Sequence, residues 1–552
     1  ALPTLKNGFM QDKMCDVGAV SNTDTFIKQG AYNTETATSW SWGALKNVNY
    51  FIDGCNDPKY CTVEAETRDN YLGIARWFRA WFYYDKLTTY GEVPWFPNDI
   101  QSYQNDVMYK DRDSRDVIIR NLIADLDFAY EHIQATSSTG SATLTRWAAA
   151  ALKSRVCLFE AAYRRYHNLT GLEITPEELY REAAKAAKLV IDNSGCSLNT
   201  AAGKKGAYRD LFYSETPLTQ EVILAVCANE KSGIFGEQNW WFNARSYGLC
   251  WSLVRSFVHT YLKQDGTPFT AAADYAVKSF AEEMEGRDLR LEQTVRGRNF
   301  LWDGKTAVAD IKNLSLTGYQ VIKYTLDESK YDGGAKNINS IPLIRYAEVL
   351  LNYAEAQAEL GVITDSEWAL TVGALRKRAG ITGGTETLPT TVDSYLQRTF
   401  YPDVTSPVLL EIRRERAIEL VAEGMRFDDL RRWKCGSLME TLPWSGIHIP
   451  GLEQPVDVNG DGVNDYYFTE GEVASAPAAY KNIAVRVNQD GVGLYAEANP
   501  VSGYDLVYKT GAGDRYWYPD GRQYLYPIPA KVIRDYRNAG YTISQNPEWD
   551  NE

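Results

Sequence analysis

The run Asp457-Val-Asn459-Gly-Asp461-Gly462-Val-Asn464-Asp465 places side-chain oxygens at alternate positions ahead of a glycine. This is how a calcium loop begins: Asp457, Asn459 and Asp461 would supply the first three oxygens, followed by the Val463 carbonyl and the Asp465 side chain. Phe468 stands where an EF-hand needs its bidentate Glu, so the loop is not an EF-hand. Two readings remain open: a structural calcium site, or an Asx-rich turn held by its own hydrogen bonds.

A second set of residues suits flat, hydroxyl-rich ligands. Trp and Tyr faces bury the C–H side of a sugar ring, and planar amides orient its hydroxyls. Aromatic residues in loops rather than on helix stripes are the candidates: Trp95 just after a Gly-x-x-Pro exit, then Trp240, Trp241, Tyr247 and Trp302, with Asn239 and Asn243 flanking the Trp pair. With 15 Trp and 37 Tyr, the chain has enough aromatic surface for a core and a platform together. Trp81 and Trp147 fall on helical faces and are assigned to the core.

Catalytic patterns are thin. The sequence contains no HExxH, GxSxG, P-loop or dinucleotide fingerprint. Acidic doublets occur at Glu282-Glu283 and Asp428-Asp429, but the separation a glycosidase needs is a three-dimensional fact. A formal charge of −14 excludes a phosphate-binding face built on basic excess, and with it nucleic acid as partner. Eight cysteines with no CxxC, and four histidines, give little basis for zinc. Cys55 and Cys61 enclose a short loop and are candidates for a disulfide. No apolar run is long enough to span a membrane. The first residue is Ala rather than Met, which is the expectation for a removed leader.

The elements that must position these residues are mainly α-helical. A helix-like run is predicted from Ser39-Trp40-Ser41-Trp42 to about Ile52, and helices over 66–90 (closed by Gly91), over 114–133, and as a pair over 145–165 and 176–193. Alanine-rich faces in the last pair permit close approach, in the manner of tetratricopeptide-like repeats. Residues 194–340 change character: β-like runs at 221–226 and 318–324 lie among Gly-, Asn- and aromatic-rich loops, where function is usually placed. Helical order resumes over 341–360. Thr364 and Glu367 form a capping box for a helix reaching Ala379, and a final pair covers 406–434 with a stop at Gly424. Beyond 440 the chain reads as irregular. In the 411–434 stretch, Glu415, Arg416, Glu419, Glu423, Arg426 and Asp429 are predicted to pair internally and fix a helix–helix corner. The expected organisation is one unit over 1–552: N-terminal helix pairs over 42–193, a ligand-facing insertion over 194–340, and C-terminal helix pairs with a tail over 341–552.

Several stretches carry a family resemblance in order: RWFRAWFYYDKLTTYGEVP (76–94), TYLKQDGTP (260–268), GRDLR (286–290), GYQVIKY (318–324), IPLIRYAEVLLNYAE (341–355), LRKRAGI (375–381), ERAIELVAEGMRFDDLRRW (415–433), and the closing YPIP and QNP. Together they resemble the SusD/RagB family of glycan-capturing outer-membrane lipoproteins. The resemblance covers residues about 45–550. It implies four tetratricopeptide-like helix pairs as scaffold, a loop-built binding face and no catalysis. It also implies a SusC-like TonB-dependent barrel as partner, and attachment to the extracellular face of the outer membrane through an N-terminal lipid that these residues do not include. A mainly α glycoside hydrolase and a helical-repeat scaffold for a protein partner are the alternatives.

Overall fold

In a computed structural model, the described residues are 14–243, 250–509 and 515–550. The fold is mainly α, with small strand groups, as the sequence predicts. Helix Ala65–Tyr90 ends where Gly91 adopts φ +75°, a left-handed conformation that glycine takes without steric cost. It packs against Arg115–His132, whose start is capped by the Ser114 side chain accepting from the Val117 amide.

Helix Arg146–Tyr166 is buried on every side from Ala148 to Arg164. Its alanines let Arg115–His132 and Pro176–Asn193 approach from opposite flanks. A helix so enclosed must pair any charge it carries. Glu160 accordingly receives Arg115 at 2.5 Å and Arg164 at 2.7 Å. The helix Tyr346–Glu359 then packs directly on Pro176–Asn193, so residues 194–340 are looped out of a continuous helical stack. Pro407–Glu419 packs on the far side of Tyr346–Glu359, and Arg426–Arg432 docks back on Arg146–Tyr166. Trp81 and Trp147 are half-buried and packed against the core.

The 411–434 stretch forms a buried, ion-paired corner, but of the six residues named only Arg416 and Asp429 pair with each other, and the rest reach partners outside the stretch. Glu419 is fully buried among Arg290 at 2.7 Å, Arg345 at 2.6 Å, and Arg378. Burial alone would raise its pKa, but these guanidinium groups hold it well below the usual carboxylate range. Glu415 pairs with Arg290 and Arg376, Glu423 with Arg345 and Lys323, Arg416 with Asp429, and Arg426 with Asp16.

Five local expectations are corrected. Residues 341–345 form a strand paired antiparallel with Val222–Val226, and the helix begins only at Tyr346, because this nearly fully buried stretch satisfies its backbone against the partner strand. The 364–379 helix has its capping box but breaks at Thr371 into Asp365–Leu370 and Val372–Arg378. The Pro407 helix ends at Glu419, one turn before Gly424. Residues 318–324 make isolated bridges rather than a strand. The region after 440 is not irregular: strands Ser445–Ile449, Leu494–Ala498 and Tyr504–Tyr508 form one sheet, three short strands form another, and helix Ala530–Asn538 follows. Cys55 and Cys61 do not form the disulfide that their spacing allows.

Candidate functional site

The insertion carries a short helix, Gln238–Asn243, and a two-strand hairpin, Leu301–Trp302 with Lys305–Thr306. The segment 326–337 ties them together. Asn239 is fully buried and bonded to this segment: its Nδ2 donates to the Leu326 carbonyl at 2.7 Å, its Oδ1 accepts from the Leu326 amide at 2.8 Å, and it exchanges two bonds with Asn337. Asp332 accepts from the amides of both Asn239 and Asn243, each at 3.2 Å. On the other side Asp303, in the hairpin turn, donates its N–H to the Asp327 carbonyl at 3.0 Å and accepts from the Ser329 amide at 2.9 Å. The hairpin and the helix are thus clamped to one segment.

The aromatic faces on this frame are half-exposed. Trp240 and Trp241 lie 4.9 Å apart at 67°. The Trp241 Nε1 donates to no described residue. Trp302 stacks with Phe300 at 6.4 Å, and the Arg296 guanidinium lies 5.2 Å from both rings. Arg296 Nη1 donates to the Val308 carbonyl at 3.1 Å, while its Nε has no described partner. Burial raises the Asp332 pKa, and the Asn239 and Asn243 amides moderate the rise. Burial lowers that of Arg296, with Asp310 foremost among the acidic groups opposing it. Arg296 and Asn243 are buried and brace this region from within, while the partly exposed indole planes of Trp240, Trp241 and Trp302 have the character that stacks sugar rings.

The structure therefore places Asn239, Trp240, Trp241 and Asn243 on one short helix and Trp302 on a hairpin, both tied to the 326–337 segment. Asn239 holds the frame; its side chain is already saturated. Trp95 lies elsewhere and is a correction: it is 7% exposed, packed on Tyr83 at 4.1 Å and under Arg79 at 5.3 Å. A ring filling the core offers no face to a ligand. Tyr247 lies outside the described residues. Arg296 and Asp332 were not predicted, because a lone Arg and a lone Asp in a loop carry no sequence signal until the fold sets them beside Trp302 and Asn243.

At the Asp457–Asp465 loop, each carboxylate is turned inward. Asp457 accepts from Gly460 at 2.7 Å and Gly462 at 2.8 Å, Asp461 from Val463 at 2.8 Å, and Asp465 from Val458 at 2.8 Å. Asn459 donates to Asp461 at 3.2 Å, and Arg298 donates to the Asn459 carbonyl at 3.0 Å. Among the described residues no group of three or more His, Cys, Asp or Glu is placed to hold a metal. These are the hydrogen bonds of a self-bonded Asx turn.

The acidic doublets are likewise structural. Glu282 caps its helix with Ser279, Glu283 is buried against Arg255 and His259, and Asp428 and Asp429 pair with arginines. Burial would raise the Glu283 pKa, but the His259 bond and the Arg255 charge bring it down to about 2.

No curated protein gives a match to this chain. Among solved structures, a SusD-like protein from Bacteroides fragilis is 21% identical with a TM-score of 0.65, covering 99% of this chain and 94% of that one. A SusD-like carbohydrate binding protein from the same organism is 19% identical with a TM-score of 0.67, covering 97% and 92%. A laminarin binding SusD-like protein is 15% identical with a TM-score of 0.57, covering 98% and 94%. At these identities the structures establish a shared fold. The model of the SusD family matches residues 220–549, more than half of the sequence and the whole of the ion-paired corner. The chain belongs to the SusD family.

Proposed function

We propose that this protein is a non-catalytic glycan-binding protein of the outer cell surface that delivers oligo- or polysaccharide to a SusC-like TonB-dependent outer-membrane transporter. Attachment through an N-terminal lipid belongs to the same reading. The observation that carries glycan binding is the clamped insertion face, where half-exposed Trp240, Trp241 and Trp302 stand beside Arg296, Asn243 and Asp332. Two proteins of the same fold, a SusD-like carbohydrate binding protein and a laminarin binding SusD-like protein, support the ligand class. The occupation of both acidic doublets in structural pairs supports the absence of catalysis.

Calorimetry of the purified chain against a panel of polysaccharides tests the reading. Binding to at least one is expected, lost on Trp302→Ala or on a Trp240/Trp241 double change to Ala, with no reducing sugar released. Failure to bind any glycan, or steady reducing-sugar release, overturns it. Co-purification with a TonB-dependent barrel tests the delivery step.

A further inference from the structure

A cleft of about 1100 Å³ lies between the start of helix Gly43–Asn56, the 96–109 segment and helix Ala530–Asn538. Trp40 and Trp42 form one wall, with rings 5.3 Å apart at 74°. Trp40 packs on Tyr90 at 4.9 Å, and Trp42 on Phe96, which also lines the cleft, at 5.2 Å. Neither indole N–H donates to a described residue, and neither does the Tyr109 hydroxyl on the opposite wall. The Nδ2 of Asn98 donates to Asp53 at 2.8 Å, which leaves its Oδ1 directed to no described donor.

The charges of the cleft do not balance. Lys531 pairs with Asp535 at 2.6 Å and Arg534 with Glu35 at 2.6 Å, whereas Lys46 is exposed and has no carboxylate partner among the described residues. A cation left over inside a cleft is notable in a chain of formal charge −14. Rigid indole faces, uncommitted donors and acceptors, and one surplus ammonium together define a ligand that is flat, hydroxylated and anionic.

We propose that this cleft is a second carbohydrate site and that it takes a uronate-bearing sugar. The Trp40 and Trp42 rings cover its C–H face, and Lys46 pairs with its carboxylate. The proposal rests on the glycan-binding reading for its ligand class, but not on the insertion face for its residues.

The test titrates the chain with oligosaccharides of galacturonate, mannuronate and glucuronate, each beside its neutral methyl ester. At least one uronate is expected to bind, about tenfold more weakly after Lys46→Glu or after esterification. Ala539→Trp, which fills the exposed lip of the cleft, is expected to block it, and Trp302→Ala to leave it in place. Equal affinity for acid and ester overturns the proposal, as does binding unchanged by both Lys46→Glu and Ala539→Trp. Uronate binding abolished by Trp302→Ala places the ligand on the insertion face, so the cleft proposal falls while the glycan function stands. If no glycan of either kind binds, both readings fall.

Discussion

Asn239 and Asn337 hold each other by two opposed hydrogen bonds, the Asn239 amide to Asn337 Oδ1 at 2.9 Å and Asn337 Nδ2 to Asn239 Oδ1 at 2.7 Å. Both side chains are fully buried, and the pair fixes the helix that presents Trp240 and Trp241. Asn337→Ala leaves a buried amide without its acceptor, a cost of about 1–3 kcal/mol. Urea unfolding is expected to show that loss, and glycan affinity to fall several-fold although Asn337 lies beneath the face. Unchanged stability would show that the reciprocal pair is not what holds the helix.

Trp95 and Trp302 separate packing from recognition. Trp95→Ala removes a core ring and is expected to cost about 3–5 kcal/mol, read as a lower denaturation midpoint, with affinity intact in the folded fraction. Trp302→Ala, at a half-exposed hairpin position, is expected to do the reverse. A Trp95 variant that folds normally yet loses glycan would restore it to the ligand face.

What the sequence reveals depends on how locally each feature is determined. Helices such as Pro176–Asn193 are written in periodicity and caps, and the ion-paired corner in the density of Arg and Glu among apolar residues. Residues 341–345 were misread because a strand of IPLIR is decided by a partner more than a hundred residues away. Trp95 was misassigned for a related reason: a loop position near Pro94 and Pro97 says nothing about burial, which Tyr83 and Arg79 decide. Asn239 is expected from the sequence to contact ligand, but its side chain is spent on the 326–337 segment, a use that only the folded chain reveals. The Trp40–Trp42 wall was hidden within a helix-like run, since its opposite side is built from residues near 530.

The Glu419 carboxylate is shared by three buried guanidinium groups, from Arg290, Arg345 and Arg378. Glu419→Gln keeps the volume but leaves these cations short of a counter-charge in a desolvated place. Breaking a buried pair in this way costs about 3–5 kcal/mol. The expected result is a large drop in thermal midpoint, or failure to accumulate folded protein. A change of less than about 1 kcal/mol would mean that water or relaxation compensates the network.

The Asp457–Asp465 loop offers a test by metal. Since its carboxylates already receive backbone amides, removing calcium with EDTA and adding it back are expected to leave the thermal midpoint unchanged. Asp457→Ala is expected to destabilise by about 1 kcal/mol through the lost turn bonds. A calcium-dependent rise in midpoint that Asp457→Ala abolishes would establish the loop as a cation site.

His167 gives the pH dependence. Its ring stacks on Tyr163 at 4.0 Å, and its Nε2 lies 2.8 Å from the Arg431 carbonyl, to which the neutral ring donates. Burial pushes its pKa down from 6.5 to about 4, with the Arg431 carbonyl opposing the shift. Between those values the unfolded chain binds the proton and the folded chain does not, so stability rises with pH through this window. His167 therefore contributes nothing unfavourable above pH 6.5, and its burial costs progressively more as pH falls toward 4, reaching about 3 kcal/mol. His167→Gln retains a donor for the Arg431 carbonyl but cannot titrate. Urea midpoints measured from pH 7 to 5 are expected to fall less steeply for the variant than for the parent protein. Parallel curves would show that other groups, and not this buried imidazole, govern the acid side of the stability profile.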